Sequence, residues 1–139
     1  MSDALLTIQE LIETHQQALA AEPEVHWEGR AYEPRPGVPW VQVQMIGRVR
    51  APMALGVATP HLWRGQLMIA VKHPADTGDL RAAYARAGVV AAHWKRGTTL
   101  GTPPLVVVVQ ETSLPPAYTS GGFITQPVIA AWFTQEHPP

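Results

Sequence analysis

Apolar positions recur near the 3.6-residue period from residue 3 to residue 21. Leu5, Ile8, Leu11, Ile12, Ala18 and Leu19 fall on one face, so the spacing predicts an amphipathic helix. Asp3 is its N-cap candidate and Pro23 its stop. Residues 25 to 37 hold two prolines and several charges without periodicity, and they read as an irregular linker. From 39 to 49 the period becomes two. Val41, Val43, Met45 and Val49 form one face, and Gln42, Gln44 and Arg48 the other, as in a half-buried strand. A second strand is predicted over 62–73, with Leu67, Ile69 and Val71 inward.

A second helix is predicted over about Asp79 to Arg96. Leu80, Ala83, Tyr84, Ala87, Val90, Ala91 and Trp94 line one side, and Gly88 is expected to allow close packing on a sheet. Gly97 is placed to end this helix in a left-handed conformation. Residues 105–110, LVVVVQ, are a continuous apolar run, which predicts a central strand buried on both faces. A last strand follows from Phe123 to Thr134, where Pro127 calls for an edge or a bulge because it lacks an N–H. The order is α-β-β-α-β-β. The predicted fold is α+β, a mostly antiparallel mixed sheet with two helices packed on one face, in a single domain over 1–139. This is not the βαββαβ order of a ferredoxin-like domain.

Composition narrows the chemistry. There is no cysteine, so disulfides and thiolate metal sites are excluded. The net charge of -1 pulls the chain towards neither nucleic acid nor an anionic membrane. The longest apolar runs are far shorter than the roughly 20 residues needed to span a bilayer. The opening MSDALLTIQE lacks the basic stretch of a signal peptide, so synthesis in the cytoplasm is expected.

Catalytic motifs are missing. Three aspartates and three serines leave little for a nucleophile–base–acid triad, and the six histidines share no ligand spacing. Neither phosphate-loop pattern occurs. Asp76-Thr77-Gly78 matches the aspartic-protease triplet, but it follows Pro74 and runs into a helix, where capping is the simpler role. No catalytic residue, metal or cofactor is expected. Arg48 and Arg50 sit in a mildly basic middle segment with Glu28 and Glu33 interleaved, which suits ion pairing better than DNA contact.

Two connections stand out, residues 50–61 and 112–122. Both are long, proline-containing and nearly uncharged, and only 15% of all residues are charged. Apolar loops of this kind suit cover by another chain. Met53, Leu55, Val57, Pro115 and Tyr118, with Arg48 and Arg50, are the candidate partner-contact residues. Trp27, Tyr32, Pro34, Trp40 and Trp94 are the candidate structural anchors, in the chain's own core or between copies.

Four weak motifs occur in order along nearly the whole chain: Trp27-Glu28-Gly29 with Tyr32-Glu33-Pro34; Trp40-Val41-Gln42-Val43; the strand opening at Gly65 and leading to Pro74 and Gly78; and Gly122-Phe123-Ile124-Thr125-Gln126-Pro127-Val128. In this arrangement the chain resembles the tail terminator family of phages with long, non-contractile tails and of related gene-transfer particles. Gly29 departs from the family, where Asn is frequent, and the segment after Arg50 is more apolar than the family pattern. The resemblance implies a homohexameric ring in the virion neck. That ring would cap the tail tube, end its polymerisation, and join the head-side connector. Its partners would be sister copies, the tube protein and a connector protein, with DNA only passing through the lumen. Assembly would occur in the host cytoplasm. Another neck component, such as a head-completion or adaptor ring, is the alternative within this class. A small-ligand domain or enzyme, with a pocket near Tyr84, His93 and Trp94, is the alternative outside it.

Overall fold

A computed structural model describes residues 4–35, 37–52, 61–75, 80–102 and 105–136. Two helices and seven strands follow in the order α1 (Ala4–Gln17), β1 (Val25–Trp27), β2 (Trp40–Pro52), β3 (His61–Pro74), α2 (Leu80–His93), β4 (Thr99–Thr102), β5 (Leu105–Ser113), β6 (Tyr118–Ser120) and β7 (Phe123–Glu136). The fold is therefore α+β. The four long strands and both helices match the predicted elements, and three short strands are added to them.

The strands form one curled sheet in the order β1-β2-β3-β7-β5-β4, with β6 paired to β7. Every pairing is antiparallel except β1 with β2. Segment 25–37 is thus not wholly irregular, since Val25 to Trp27 run parallel to Val41 to Val43. Three residues are too few to display a period of two.

Alternate residues supply the core. Val41, Val43 and Met45 of β2, Leu67, Ile69 and Val71 of β3, Val107 and Val109 of β5, and Val128, Ala130 and Trp132 of β7 meet in one cluster. Ile8 and Ile12 of α1, Ala87 and Val90 of α2, and Trp94 just after α2 join that same cluster. Burial of such side chains stabilises the fold by roughly 1.5–3 kcal/mol each.

Two bulges correct the simple alternation. Between Met45 and Gly47 the ladder shifts, so Arg48 pairs with Gly65 and takes the register face of Met45. The alternation read from Val41 to Val49 therefore reverses at Ile46. A second bulge between Val109 and Glu111 places Thr112 opposite Ala130, where its hydroxyl donates to the Trp94 carbonyl at 2.5 Å. Nor is β5 the centre of the sheet. Val107 and Val109 are buried, while Leu105, Val106 and Val108 are only half-buried, and β3 and β7 occupy the middle.

Pro127 sits in the interior strand β7 rather than at an edge. It pairs with Ala70 on one side. On the other side it falls between the last β6 pairing, at Thr125, and the first β5 pairing, at Ile129. Its missing N–H therefore costs no ladder bond there. The Gln126 amide fills this gap by donating to the carbonyls of Pro115 at 2.6 Å and Pro127 at 2.8 Å.

Both helices end earlier than their apolar spacing suggests. After Gln17 the chain turns, and this turn brings Glu22 against Arg86 of α2. α2 stops at His93, and Gly97 adopts φ +89° while its N–H donates to the Val109 carbonyl at 2.8 Å. Gly88 is exposed on α2 with open space where a Cβ would stand, so it serves no close packing. Leu80 and Tyr84 are likewise exposed, and the buried face of α2 is Ala83, Ala87 and Val90. The Asp76-Thr77-Gly78 triplet lies outside the described residues.

Candidate functional site

The sheet face opposite the helices carries an aromatic cluster at one end. His26, Trp40 and Lys72 occupy the outward positions of β1, β2 and β3, next to inward Val25, Val41 and Val71. Tyr32 covers them from the segment after β1. Its ring lies 5.4 Å from His26 and 5.0 Å from Trp40. Phe123, the first residue of β7, meets Trp40 edge-on at 6.0 Å. Only 7% of Trp40 is exposed, although it points away from the main core.

Lys72 runs through this cluster. Its ammonium lies 5.7 Å from the Trp40 ring centre and 5.8 Å from that of Tyr118, and it donates to Thr125 Oγ1 at 3.0 Å. Half-burial lowers its pKa from the ordinary lysine value. Tyr32 is shifted upward, first by burial and then by the Glu24 carboxylate. An open cleft of about 830 Å³ lies beside Lys72, bounded by Pro34, Trp40, Gly121, Gly122 and Phe123.

A buried ion pair supports the cleft from below. Arg86 of α2 pairs with Glu22 through two guanidinium nitrogens. The same guanidinium donates to the Lys72 carbonyl at 2.6 Å and the Trp40 carbonyl at 3.4 Å. One side chain thus ties α2 to the backbone of the two strands that present Trp40 and Lys72.

Among the described residues that line it, the cleft offers apolar surface and one cation, that of Lys72. Among the described residues no three of His, Asp and Glu come together as a metal site would require. Among them, too, no helix is long and apolar enough to cross a membrane.

The family model for phage tail terminator proteins matches residues 7–132. The chain belongs to the phage tail terminator family. That family is one of structural phage tail proteins, which implies a place in the virion. No curated protein matches the chain in sequence. One solved structure superposes on this tail terminator with a TM-score of 0.70 at 20% identity, covering 94% of this chain and 98% of the other. At that identity the likeness speaks for the fold alone.

The terminator fold divides the anchor residues into two groups. Tyr32, Pro34 and Trp40 gather at the outer cluster, joined by the partner-contact candidate Tyr118. Trp94 is buried in the core and donates from Nε1 to Gln16 Oε1 at 2.8 Å, while half-buried Trp27 packs against the core. Pro115 is half-buried and held by Gln126. Arg48 is exposed, and Arg50 pairs with Trp63 in the ladder. Arg48 stands eight residues along β2 from Trp40, roughly 26 Å away at strand rise, so it takes no part in the cluster. Met53, Leu55 and Val57 lie outside the described residues. The 112–122 connection is shorter than its sequence suggests, because β6 pairs with the start of β7 across a Gly121-Gly122 turn.

Sequence reasoning missed Lys72, Phe123 and His26. For Lys72 a signal existed, because it shares the outward parity of Met68 and Ala70 on β3. The pocket envisaged near Tyr84, His93 and Trp94 does not match this cleft. There Tyr84 is exposed, His93 is engaged with His15, and Trp94 is buried.

Proposed function

We propose that the chain is the ring subunit that caps the phage tail tube, halts its polymerisation and gives the head-side connector its joining surface. The family match over 7–132 carries this reading, since it takes in most of α1 and of β7 and every element between them. A closed ring needs two different patches that meet head to tail. The bulge leaves Ile46 exposed on β2, and the 114–118 connection leaves Leu114 and Tyr118 exposed elsewhere. These patches, with Met53, Leu55 and Val57 of the uncharged hairpin connection, would be covered by sister copies in a hexamer. An obligate interface of this type buries on the order of 2,000 Å² or more. The tube protein and a connector would meet the two rims, and DNA would only pass through the lumen. Assembly would take place in the host cytoplasm.

The test adds purified chain to polymerising tail-tube protein and measures tube lengths by electron microscopy. Shorter tubes carrying a ring at one end support the proposal. An unchanged length distribution with bare ends overturns it.

A further inference from the structure

His15 and His93 hold the ends of α1 and α2 together. Their rings lie nearly parallel, 14° apart in tilt and 3.9 Å between centres. Nε2 of each ring bonds the main-chain carbonyl of the other residue, at 2.7 and 2.5 Å. A carbonyl accepts and never donates, so both Nε2 atoms carry hydrogen, and any further proton goes to Nδ1. Trp94, buried in the core, stands edge-on to both rings at 4.5 and 6.3 Å.

Among the described residues no carboxylate pairs with either ring. Glu13 is taken by Arg30 and Glu22 by Arg86. Glu10, Lys95, Arg96 and Glu111, the other charges of the neighbouring elements, are exposed. His93 is the charged neighbour that acts on His15, and burial disfavours the cation there as well. One added proton keeps both Nε2 bonds. A second would set two cations 3.9 Å apart, with no room for water between them.

We infer that this stack is an acid-released latch: it stays shut with one added proton and opens with the second, freeing the last turn of α1 from α2 while the sheet stays folded. Apart, each ring reaches water and binds its proton as an ordinary histidine does. Held together, the pair takes its second proton only at lower pH, so acid favours the parted state. Ile8 and Ile12 fix the rest of α1 in the core, which confines the opening to the end of the helix. The inference rests on the ring pair and stands apart from the tube-capping proposal, so either can fail alone.

The test follows both imidazoles of the full chain by two-dimensional NMR between about pH 8 and about pH 4, with amide exchange at the same points. The pair should take up its two protons in steps about two pH units apart, which is about a hundredfold difference in affinity. Across the second step, protection of the amides from Thr14 to Gln17 should fall about tenfold, while that from Leu67 to Val71 in β3 holds. His93→Gln should leave His15 a single step, nearer the ordinary value, and protection at the end of α1 that no longer changes with pH. Should that variant lose the helix contact at every pH, His15→Gln repeats the comparison from the other side. Independent titration of the two rings near about 6.5 overturns the inference. So does protection lost in β3 together with α1, which is global unfolding, or an acid step in α1 that survives in both variants.

Discussion

The imidazoles of His15 and His93 stack 3.9 Å apart, and each donates from Nε2 to the other's main-chain carbonyl, at 2.7 and 2.5 Å. Each stands in the last turn of its helix, so the pair clasps α1 to α2, with the Trp94 ring edge-on to His15 at 4.5 Å. Burial lowers the His15 pKa; the hydrogen bond to His93 opposes this and the neighbouring ring adds to it. In the unfolded chain His15 binds its proton near 6.5, and in the folded chain only at lower pH. Its contribution is therefore fully present above 6.5 and declines as pH falls towards the folded value. Thermal unfolding between about pH 8 and about pH 5 should show the melting temperature falling. His15→Gln should begin lower and lose less on acidification. An identical pH profile for the two proteins would contradict the clasp.

Two glycines should respond in opposite directions. A Cβ on Gly65 would stand 2.2 Å from the Gly47 carbonyl oxygen and 2.8 Å from Trp132 Cζ2. Backbone cannot swing aside as a side chain can, so Gly65→Ala should cost about 2 kcal/mol or more. Gly88 has open space around it in a helix, and Gly88→Ala should stabilise by about 0.5–1 kcal/mol. Urea denaturation of both variants measures the contrast.

Glu22 and Arg86 form the buried pair beneath the cleft, with side chains 6% and 17% exposed. Glu22→Gln should destabilise by about 3 kcal/mol, because it leaves a buried guanidinium without its carboxylate. The double variant Glu22→Leu with Arg86→Met should lose less than that single change. Tryptophan fluorescence during denaturation reads the stability of each variant.

Partner contact on the uncharged hairpin connection has its own test. Leu55→Asp and Val57→Asp should lower the oligomer mass in light scattering while leaving the circular dichroism of the chain intact. Unchanged mass would remove these residues from the interface.

Long-range order in this fold was easier to read than local irregularity. The two helices and four long strands follow from apolar periods, because burying one face of each element imposes that spacing. The bulges at Ile46 and Gln110 left no such trace, since an inserted residue reverses the alternation without altering composition. Gly88 misled, because helix packing falls to Ala83, Ala87 and Val90 while Gly88 faces solvent. At the cleft, Tyr32, Pro34 and Trp40 were legible from the sequence as candidate anchors, though not as neighbours of one another. Lys72 and Phe123 were not, because only the pairing of Trp40 with Lys72 in β2 and β3, and of Pro74 with Phe123 in β3 and β7, brings them there.

Native mass spectrometry of the purified chain tests the ring most directly. The account predicts a closed species at six times the 15.1 kDa chain mass, broken down by Leu55→Asp. A lone 15.1 kDa species at high protein concentration, with no gain in mass when tube protein is added, would contradict it.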